Sequence, residues 1–414
     1  MLTPSARAPT IVALFLAVFP AAGCARTFDA SSPVGAVRAS NQFGFELYTK
    51  LRAGQDNVVS SPAGASIAMV MASAGARGQT LAEMTQVLHL EPTKLAESHA
   101  SFGSLLDELN RRDGQQGLAL QVADQLGSDE TVDFESDFLS LLDTRYRAPL
   151  ERVDFLHASE AARGVINRWG ALKTHDRIRE IMPPGTVHAG TRLVITNSVY
   201  FKGAWVQPFA PHATADRPFY SVDATTTVPM MAQFGWFRHA SARGVSLVEL
   251  PYKGDLSMVV ILPDDADGLE AVERRLSSSY DDWLSALTRK RVDLWLPRWK
   301  FSSQLSLGEA LEDMGMTTAF GPQANFTGMT KLPIVIDKVL QQAFVEVDEV
   351  GTEAAAVTAV AMEEESAARV DELKPVVFHA EHPFAYVIRD LKTGVVLFAG
   401  RVSHAAGPGI DPTR

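Results

Sequence analysis

Cysteine is almost absent from this sequence, and so are long apolar runs. The one cysteine, Cys24, has no partner for a disulfide within the chain, so the fold must be held by its core and not by cross-links. The longest apolar run, Ile11 to Phe19, has nine residues, whereas a membrane-spanning helix requires about 20. A disulfide-stabilised scaffold and a transmembrane protein are therefore both disfavoured.

Positive charge is in deficit. The chain has 38 Lys and Arg against 49 Asp and Glu, which gives a formal net charge of −11. This balance argues against a general nucleic-acid-binding protein. The compact basic run at 289–291 is interpreted as a solvated surface run and not as a phosphate site.

Catalytic motifs are missing as well. The sequence has no G-x-S-x-G elbow, no H-E-x-x-H helix, no paired-cysteine metal pattern and no phosphate-binding loop. Its ten histidines are scattered, and His379 and His382, which lie close together, are interpreted as surface imidazoles. We therefore expect no enzyme activity, no metal and no cofactor.

The overall composition is that of an ordinary globular protein. Of its 414 residues, 46% are hydrophobic and 21% are charged, which is enough for a sizeable core. No long Pro/Gly/Ser linker, charge block or internal repeat divides the chain. We predict one large domain over 39–404, preceded by a leader and followed by a tail over 405–414.

An export signal is predicted at the N-terminus. Small residues follow the apolar run up to Cys24, as in a secretory signal peptide. This arrangement resembles the bacterial lipoprotein signal, whose cysteine carries a diacylglyceryl group, although Ala21 stands where such signals usually have leucine. We predict a signal peptide over 1–23, lipid attachment at Cys24 and a flexible tether over 24–38. An ordinary cleaved signal ending near Ala25 is the alternative, so the protein is either a membrane-anchored lipoprotein, periplasmic or at the cell surface, or secreted.

One stretch, Val345 to Val360, has an unusual composition. It starts as an alternating strand, breaks at Gly351 and continues with alanines and β-branched residues. A helix is one interpretation because alanine favours helices, but the run has no apolar face with a 3.6-residue period. The other interpretation is a segment that becomes a strand only when it enters a sheet. At period two, one face carries only small or apolar side chains and Glu353 falls on the opposite face, so the segment can enter a sheet without burying a charge.

These residues resemble the hinge motif of the serpins, the serine protease inhibitors whose reactive loop inserts into their own central sheet. The matching positions are Glu349, Gly351, Thr352, Glu353, Ala354, Ala355, Ala356 and Thr358. Serpin loop insertion is an established form of β-strand addition. The resemblance implies a reactive loop over about 349–375 and a protease as the partner.

Other segments extend the resemblance over about Ala39 to His404. Asn57–Pro62 and Leu193–Trp205 resemble the serpin segments at the shutter, where the central sheet opens, and at the breach, where the loop first enters. The strands 384–389 and 394–401 resemble the family's C-terminal hairpin. The resemblance implies a single α+β domain with a large central mixed β-sheet, further smaller sheets, about eight or nine helices and an exposed reactive loop.

By this resemblance, Ser61, Asn197 and Gln341 lie in the shutter and Trp205 in the breach. Trp205 also fits a plain core aromatic. The sequence departs from the family pattern at two shutter positions, with Gly64 in place of a usual serine and Gln341 in place of a histidine. The form of the polar contacts there stays open, whereas the hinge follows the pattern.

The resemblance also implies where a protease attacks. Counting the family's spacing from the hinge glutamate leads to the bond Glu365–Ser366, which suits a glutamyl-specific serine protease. The alternatives are the bond Arg369–Val370, which suits a trypsin-like enzyme, and a bond at Met362 or a neighbour. A cysteine protease as the target also stays open.

Two functions are consistent with the serpin resemblance. In the first, the protein is a suicide-substrate inhibitor: the protease is acylated at the loop, which inserts and traps the distorted enzyme. In the second, the fold binds or stores without inhibiting. Thr352 and the alanines favour inhibition, because a charged or bulky side chain there would have to be buried on insertion. We expect a monomer that meets a membrane only through a lipid anchor.

Overall fold

The computed structural model describes residues 32–115, 118–148, 150–177, 179–352 and 374–405. Within these residues the chain forms two β-sheets and nine α-helices. No helix in the described ranges is long and apolar enough to cross a lipid bilayer.

The sheet that corresponds to the predicted central sheet has six strands. In spatial order they are β10 (Trp299–Ser306), β11 (Lys338–Val347), β12 (Gly351–Thr352), β4 (Leu193–Ala204), β2 (Ala119–Asp129) and β3 (Leu150–Val153). The pairs β11–β4 and β2–β3 are parallel, and the others are antiparallel. The sheet is therefore mixed, as predicted.

A second sheet has nine strands. Eight of them follow one another as β1 (Val58–Ser60), β15 (Val396–Val402), β14 (Phe384–Asp390), β8 (Leu256–Pro263), β7 (Val245–Tyr252), β6 (Thr225–Ala242), β9 (Thr288–Pro297) and β13 (Val376–His379). The ninth, β5 (Ala215–Tyr220), pairs with the first part of β6. The pair β14–β15 is the antiparallel hairpin predicted near the C-terminus.

Helices surround the two sheets. They are α1 (Pro33–Leu51), α2 (Pro62–Ser73), α3 (Gly78–Val87), α4 (Leu95–Asn110), α5 (Ser136–Leu141), α6 (Phe155–Lys173), α7 (Leu269–Glu273), α8 (Leu276–Ser285) and α9 (Gly308–Asp313). A π-helical turn, Leu142–Tyr146, extends α5. Every residue of α2 is buried, and this helix packs against α1, β4 and β15.

The start of α2 brings a loop residue into the centre of the molecule. Ser61 caps the helix, because its hydroxyl accepts a hydrogen bond of 3.1 Å from the backbone nitrogen of Gly64. Pro62 occupies the first helical position, where its missing N–H costs nothing. The cap holds the backbone of Ser61 against β11.

The N-terminal helix begins earlier than the sequence indicated. Residues 33–38 were assigned to the flexible tether 24–38, but they form the first turns of α1. Ser32 caps the helix by accepting a hydrogen bond of 3.1 Å from the nitrogen of Gly35, and Ala36 and Val37 are buried. The prediction was wrong there because small residues that lack a visible apolar period still pack when a tertiary surface covers them.

The core confirms the predicted fold class. One large apolar cluster joins both sheets with α1, α2 and α4. A smaller cluster lies beneath α6, where Phe155 and Ile166 pack with Val194 of β4 and Leu340 of β11. The described chain is a single α+β domain in which α6 covers the region where β4 and β11 meet.

Candidate functional site

The hinge enters the central sheet at the breach. Asp348 begins a tight turn, and its carboxylate accepts hydrogen bonds from the nitrogens of Val350 (2.8 Å) and Gly351 (3.1 Å). The chain then returns antiparallel to β11 as β12 and pairs with β4 on its other side. The first two hinge residues after this turn therefore already lie between β4 and β11.

Gly351 is required by a close backbone approach. A Cβ atom at this position would lie 2.0 Å from the carbonyl oxygen of Gly203 in β4. Any side chain would push β12 away from its neighbour. The glycine break in the hinge motif therefore lets the loop approach β4 closely enough to pair with it.

Thr352 is fully buried in the breach. Its hydroxyl lies 2.6 Å from the hydroxyl of Tyr252, and burial raises the pKa of Tyr252 well above its usual value. The contact is therefore a hydrogen bond between two neutral groups. Tyr252 in turn stacks on Trp205, with 4.1 Å between ring centroids and 13° between ring planes.

Trp205 also binds the turn that precedes β12. Its indole Nε1 donates a hydrogen bond of 2.9 Å to the carbonyl oxygen of Asp348, and its backbone nitrogen donates one of 2.8 Å to Val350. Trp205 is buried, so it is a core aromatic that also holds the entry of the loop.

The hinge glutamate is anchored by an arginine. Glu349 is buried and accepts a hydrogen bond of 2.9 Å from Nε of Arg298, together with a second one from Nη2 and one from the hydroxyl of Thr214. Burial alone would raise the pKa of Glu349, but the hydrogen bonds from Arg298 and Thr214 outweigh it and hold the pKa below its usual value. The carboxylate therefore stays ionised and fixes the start of the loop.

The shutter residues meet below the breach. Gln341 of β11 accepts a hydrogen bond of 2.8 Å from the nitrogen of Ser61 and donates one of 2.9 Å to its carbonyl oxygen. The same amide nitrogen lies 2.8 Å from Oδ1 of Asn197 in β4. Gln341, Ser61 and Asn197 therefore form a closed polar lock between α2, β11 and β4.

The two departures from the family pattern fit together in this lock. A Cβ at Gly64 would lie 2.3 Å from Oδ1 of Asn197, so the glycine makes room for the asparagine. Glutamine carries both a donor and an acceptor, and here both are used toward Ser61. The polar contacts that the sequence left open are formed by this different set of residues.

A buried carboxyl lies beside the lock. Asn197 donates a hydrogen bond of 2.8 Å to Oδ1 of Asp124 in β2, while Oδ2 has no hydrogen-bond partner in the described part of the chain. Burial raises the pKa of Asp124 to about 7, against the lowering effect of the bond from Asn197. The shutter therefore contains a titratable group.

The structure brings the predicted residues into two groups. Glu349, Gly351, Thr352 and Trp205 meet at the breach, and Ser61, Asn197 and Gln341 meet at the shutter. Several predicted positions lie outside the described residues, namely Cys24, Glu353, Ala354, Ala355, Ala356, Thr358, Glu365, Ser366, Arg369 and Val370.

Sequence reasoning missed Tyr252, Arg298 and Asp124. Each lies in or beside an ordinary strand pattern and is distant in sequence from the residue that it contacts. Asp124 carried the strongest available signal, because it is a charged residue in the middle of a strand and charged residues are rarely buried without a partner.

The two neighbouring histidines each contact residues close to them. His379 lies 3.3 Å from Asp293 and stacks on Trp295, and His382 lies near the carbonyl oxygen of Pro383. The described residues contain no group of three or more side chains suited to hold a metal ion.

Comparison with known proteins gives relatives that match nearly the whole domain. The family model described as serpin (serine protease inhibitor) matches residues 38–405. The chain is 39% identical over 376 residues to human serpin B8 and 36% identical over 388 residues to the leukocyte elastase inhibitor of Sus scrofa. Each alignment covers 88% of this chain and 98% of the relative.

Solved structures share the same architecture. Human thyroxine-binding globulin superposes with a TM-score of 0.82 at 26% identity, covering 91% of this chain and 100% of that one. Serpin48 of the insect Tenebrio molitor, described as highly specific, superposes with a TM-score of 0.78 at 27% identity and covers 90% and 98%.

The family match spans both the breach and the shutter, and the sequence relatives exceed 30% identity over almost their entire length. The chain belongs to the serpin family of serine protease inhibitors.

Proposed function

We propose that this serpin inhibits a serine-type endopeptidase as a suicide substrate. The protease's serine attacks the carbonyl carbon of the reactive bond, the peptide bond breaks, and the enzyme stays joined to the loop through an ester. The loop then inserts between β4 and β11 and carries the enzyme with it. The observation that supports this best is β12, because its two residues already occupy that gap with Thr352 fully buried.

The energetics of the sheet favour insertion. Below the breach, β4 and β11 pair directly in parallel from Lys338 opposite Val194 to Ala343 opposite Val199. A loop that continues β12 would replace this one parallel edge with two antiparallel edges, which are the slightly more stable kind. By period two, Ala354 and Ala356 would follow Thr352 on the face that Thr352 presents to Tyr252, and they are small enough to be buried there, so insertion adds strand pairing without burying a charge on that face.

We propose Glu365–Ser366 as the reactive bond, with Arg369–Val370 as the alternative. A glutamate before the bond suits a protease whose specificity pocket offers a cation or hydrogen-bond donors, and Glu363 and Glu364 reinforce that preference. Cutting at Arg369 would add four residues to the inserting arm, so the enzyme would be less distorted and would escape more often.

A denaturing gel and mass spectrometry test the mechanism together. The protein is incubated with a glutamyl-specific serine protease and, separately, with trypsin. We expect a covalent complex that survives denaturation and a released C-terminal fragment that begins at Ser366. A fragment beginning at Val370 would replace the proposed bond by the alternative. Cleavage without any covalent complex, by either enzyme, would favour the binding or storage function.

A melting curve tests the same mechanism without any complex. Proteolysis between Val360 and Val370 would free the loop to insert along both edges of the gap, so we expect the thermal midpoint to rise by about 10 °C or more, since each kcal/mol of added stability shifts it by a few degrees in a large domain. An unchanged midpoint after complete cleavage would contradict the insertion mechanism.

We further propose that the protein is exported and lipidated at Cys24. Two or three acyl chains are enough for stable membrane anchoring. Labelled palmitate should be incorporated into the protein, and Cys24→Ser should release it from the membrane fraction. Wild-type protein found only in the medium would instead support a plain secretory signal.

A further inference from the structure

One exposed sheet face carries large apolar side chains together with cations. It lies on β6, β9 and β13, and we call it the arginine–aromatic face. Its residues are Phe234, Trp236, Arg289, Arg291, Trp295 and Val377. Phe234, Trp236 and Val377 are 54%, 45% and 63% exposed. Large apolar side chains that cluster on a surface commonly mark an interaction site.

Strand register makes this face continuous. Trp236 lies opposite Arg291, and Phe234 lies opposite Asp293, in the antiparallel pair β6–β9. Val377 of β13 lies beside Asp293 on the other side of β9. Alternate residues of a strand point to the same side, so these rows adjoin one another on the solvent side of the sheet.

Three arginines cover the aromatic rings. The guanidinium carbon lies 5.2 Å from the ring centroid of Trp236 for Arg289, 4.8 Å from that of Phe234 for Arg291 and 3.6 Å from that of Trp295 for Arg217 of β5. These distances are typical of cation–π contacts, which fix a guanidinium while its N–H groups stay free to bind an anion.

In the part of the chain that the structure describes, ion pairs do not neutralise the positive charge of this face. Within the described residues, Arg289 and Arg291 of the face, and Arg217 beside it on β5, form no ion pair with a carboxylate. The acidic side chain on the face, Asp293, is held by His379 at 3.3 Å. In a chain with a net charge of −11, this is a locally cationic surface that fits an acidic partner.

The face adjoins the end of the reactive loop. Lys374 and Pro375 lead directly into β13, and Val377 follows Ser366 by 11 residues. An extended chain of that length spans at most about 40 Å. A protease of about 230 residues has a radius of gyration of about 17 Å and hence a diameter of about 45 Å. An enzyme bound at the reactive bond is therefore large enough to touch the arginine–aromatic face.

We propose that the arginine–aromatic face is a docking surface for an acidic patch on the target protease, beside its active-site cleft. This proposal rests on the proposed inhibitory function. The guanidinium groups would pair with carboxylates and speed the encounter, while Trp236 and Phe234 supply contact area. The face sets the rate of the first complex and leaves the trapping step to the loop.

Two forms of one protease test the proposal. The Glu365→Arg variant directs the loop to trypsin, whose anionic and cationic isoforms share a specificity pocket but differ in surface charge. In this background we compare Arg289→Ser/Arg291→Ser with a control that removes the same charge elsewhere, Arg274→Ser/Lys331→Ser. Arg274 and Lys331 are exposed and lie outside β6, β9 and β13.

The expected result is a selective loss of rate. Arg289→Ser/Arg291→Ser should slow inhibition of anionic trypsin about tenfold and that of cationic trypsin less than about twofold, with unchanged stoichiometry of inhibition. The control should change neither rate by more than about twofold. The difference should shrink in about 0.5 M NaCl, where the screening length is roughly 4 Å.

Binding of anhydrotrypsin isolates the encounter from the trapping step. This inactive enzyme has no serine nucleophile, so its affinity reports docking alone. Arg289→Ser/Arg291→Ser and Trp236→Ala should each weaken binding of the anionic form. Equal rates and affinities for all variants, with normal covalent complexes, would overturn the docking proposal and leave the inhibitory function standing.

Other results would also overturn it. Faster inhibition by Arg289→Ser/Arg291→Ser would mean that the chain's own acidic residues Glu363 and Glu364 cover the face. A dimer of the wild-type protein that this variant abolishes would mean that a second copy does. If active trypsin forms no covalent complex with any variant, the inhibitory function fails and the docking proposal fails with it.

Discussion

The breach and the shutter close the same gap between β4 and β11 in different ways. At the breach the chain itself fills the gap, because β12 pairs with both strands and Thr352 makes a neutral contact with Tyr252. At the shutter no strand intervenes. There, β4 and β11 pair directly, and Gln341 ties both to Ser61.

In the proposed mechanism, this difference separates the start of loop insertion from its completion. The breach is ready to accept a small neutral side chain, since it already holds one. The shutter has to exchange the contacts of Gln341 with Ser61 and Asn197 before a strand can pass. Buried hydrogen bonds cost more to break than exposed ones, so in the proposed mechanism the lock opposes the passage of a strand between β4 and β11. The following changes weaken one region and leave the other intact.

The largest effect is expected for Thr352→Arg at the breach. The side chain would enter a fully buried site against Tyr252, and burying an unpaired guanidinium costs several kcal/mol. We expect the covalent complex to disappear from a denaturing gel while cleavage of the loop persists. Thr352→Ser, which keeps the hydroxyl, serves as the control and should inhibit normally. Equal amounts of complex from wild type and Thr352→Arg would show that the breach tolerates charge.

The next largest effect is the dependence of folding stability on pH that Asp124 causes at the shutter. In the unfolded chain this carboxyl ionises near 3.8, whereas in the folded protein its pKa is about 7. The folded state therefore binds more protons across this window. This contribution to stability is full below about pH 4 and is lost as the pH rises toward 7, by up to about 4 kcal/mol at 1.36 kcal/mol per pKa unit.

Asp124→Asn isolates this contribution, because asparagine keeps the acceptor for Asn197 and cannot ionise. The variant should gain stability over wild type as the pH rises from 4 to 8 in denaturant titrations. The pKa of His99 and that of His239 are lowered to about 4 by burial, which makes stability rise with pH, but both proteins share that effect. A constant difference between the two proteins at all pH values would contradict the assignment.

A smaller loss of folding stability is expected for Gln341→Ala. The backbone nitrogen of Ser61 would lose its acceptor and Oδ1 of Asn197 would lose its donor, at a cost of about 3 kcal/mol in total. The variant should also lose inhibitory activity faster on storage, because the gap opens more readily. Gln342→Ala is the matched control, since Oε1 of Gln342 has no hydrogen-bond partner in the described part of the chain. Similar losses of stability in both variants would show that the hydrogen bonds of Gln341 do not hold the gap closed.

The smallest effect is expected for Gly64→Ala. Its new methyl group would collide with Asn197, and overpacking of this kind costs about 1–3 kcal/mol. Gly170→Ala in α6 is the control, because there the nearest atom, on Ile181, would lie at an ordinary 3.4 Å. Guanidinium denaturation of both variants compares them. A Gly64→Ala protein as stable as Gly170→Ala would mean that Asn197 moves aside at no cost.

Much of the fold followed from local patterns. The strand Leu193–Ala204 and the C-terminal hairpin contain branched and alternating apolar residues, which favour strands wherever they lie. The first turns of α1 were missed, because helix formation at 33–38 depends on burial against the rest of the domain. Small residues without a visible period are ambiguous until a surface covers them.

The hinge and the lock also differ in how much of each can be predicted from local sequence. The small residues of the hinge and its glycine can be recognised from the sequence alone, because a period of two and the size of the side chains decide which segments can enter a sheet. The contacts that bind the hinge at the breach, and those that close the gap between β4 and β11 at the shutter, could not be predicted from the sequence. Gln341 and Ser61 are 280 residues apart, and Tyr252 and Thr352 are 100 apart. Their pairing, and with it the raised pKa of Asp124, exists only because the folded sheet brings distant strands together and excludes water from between them.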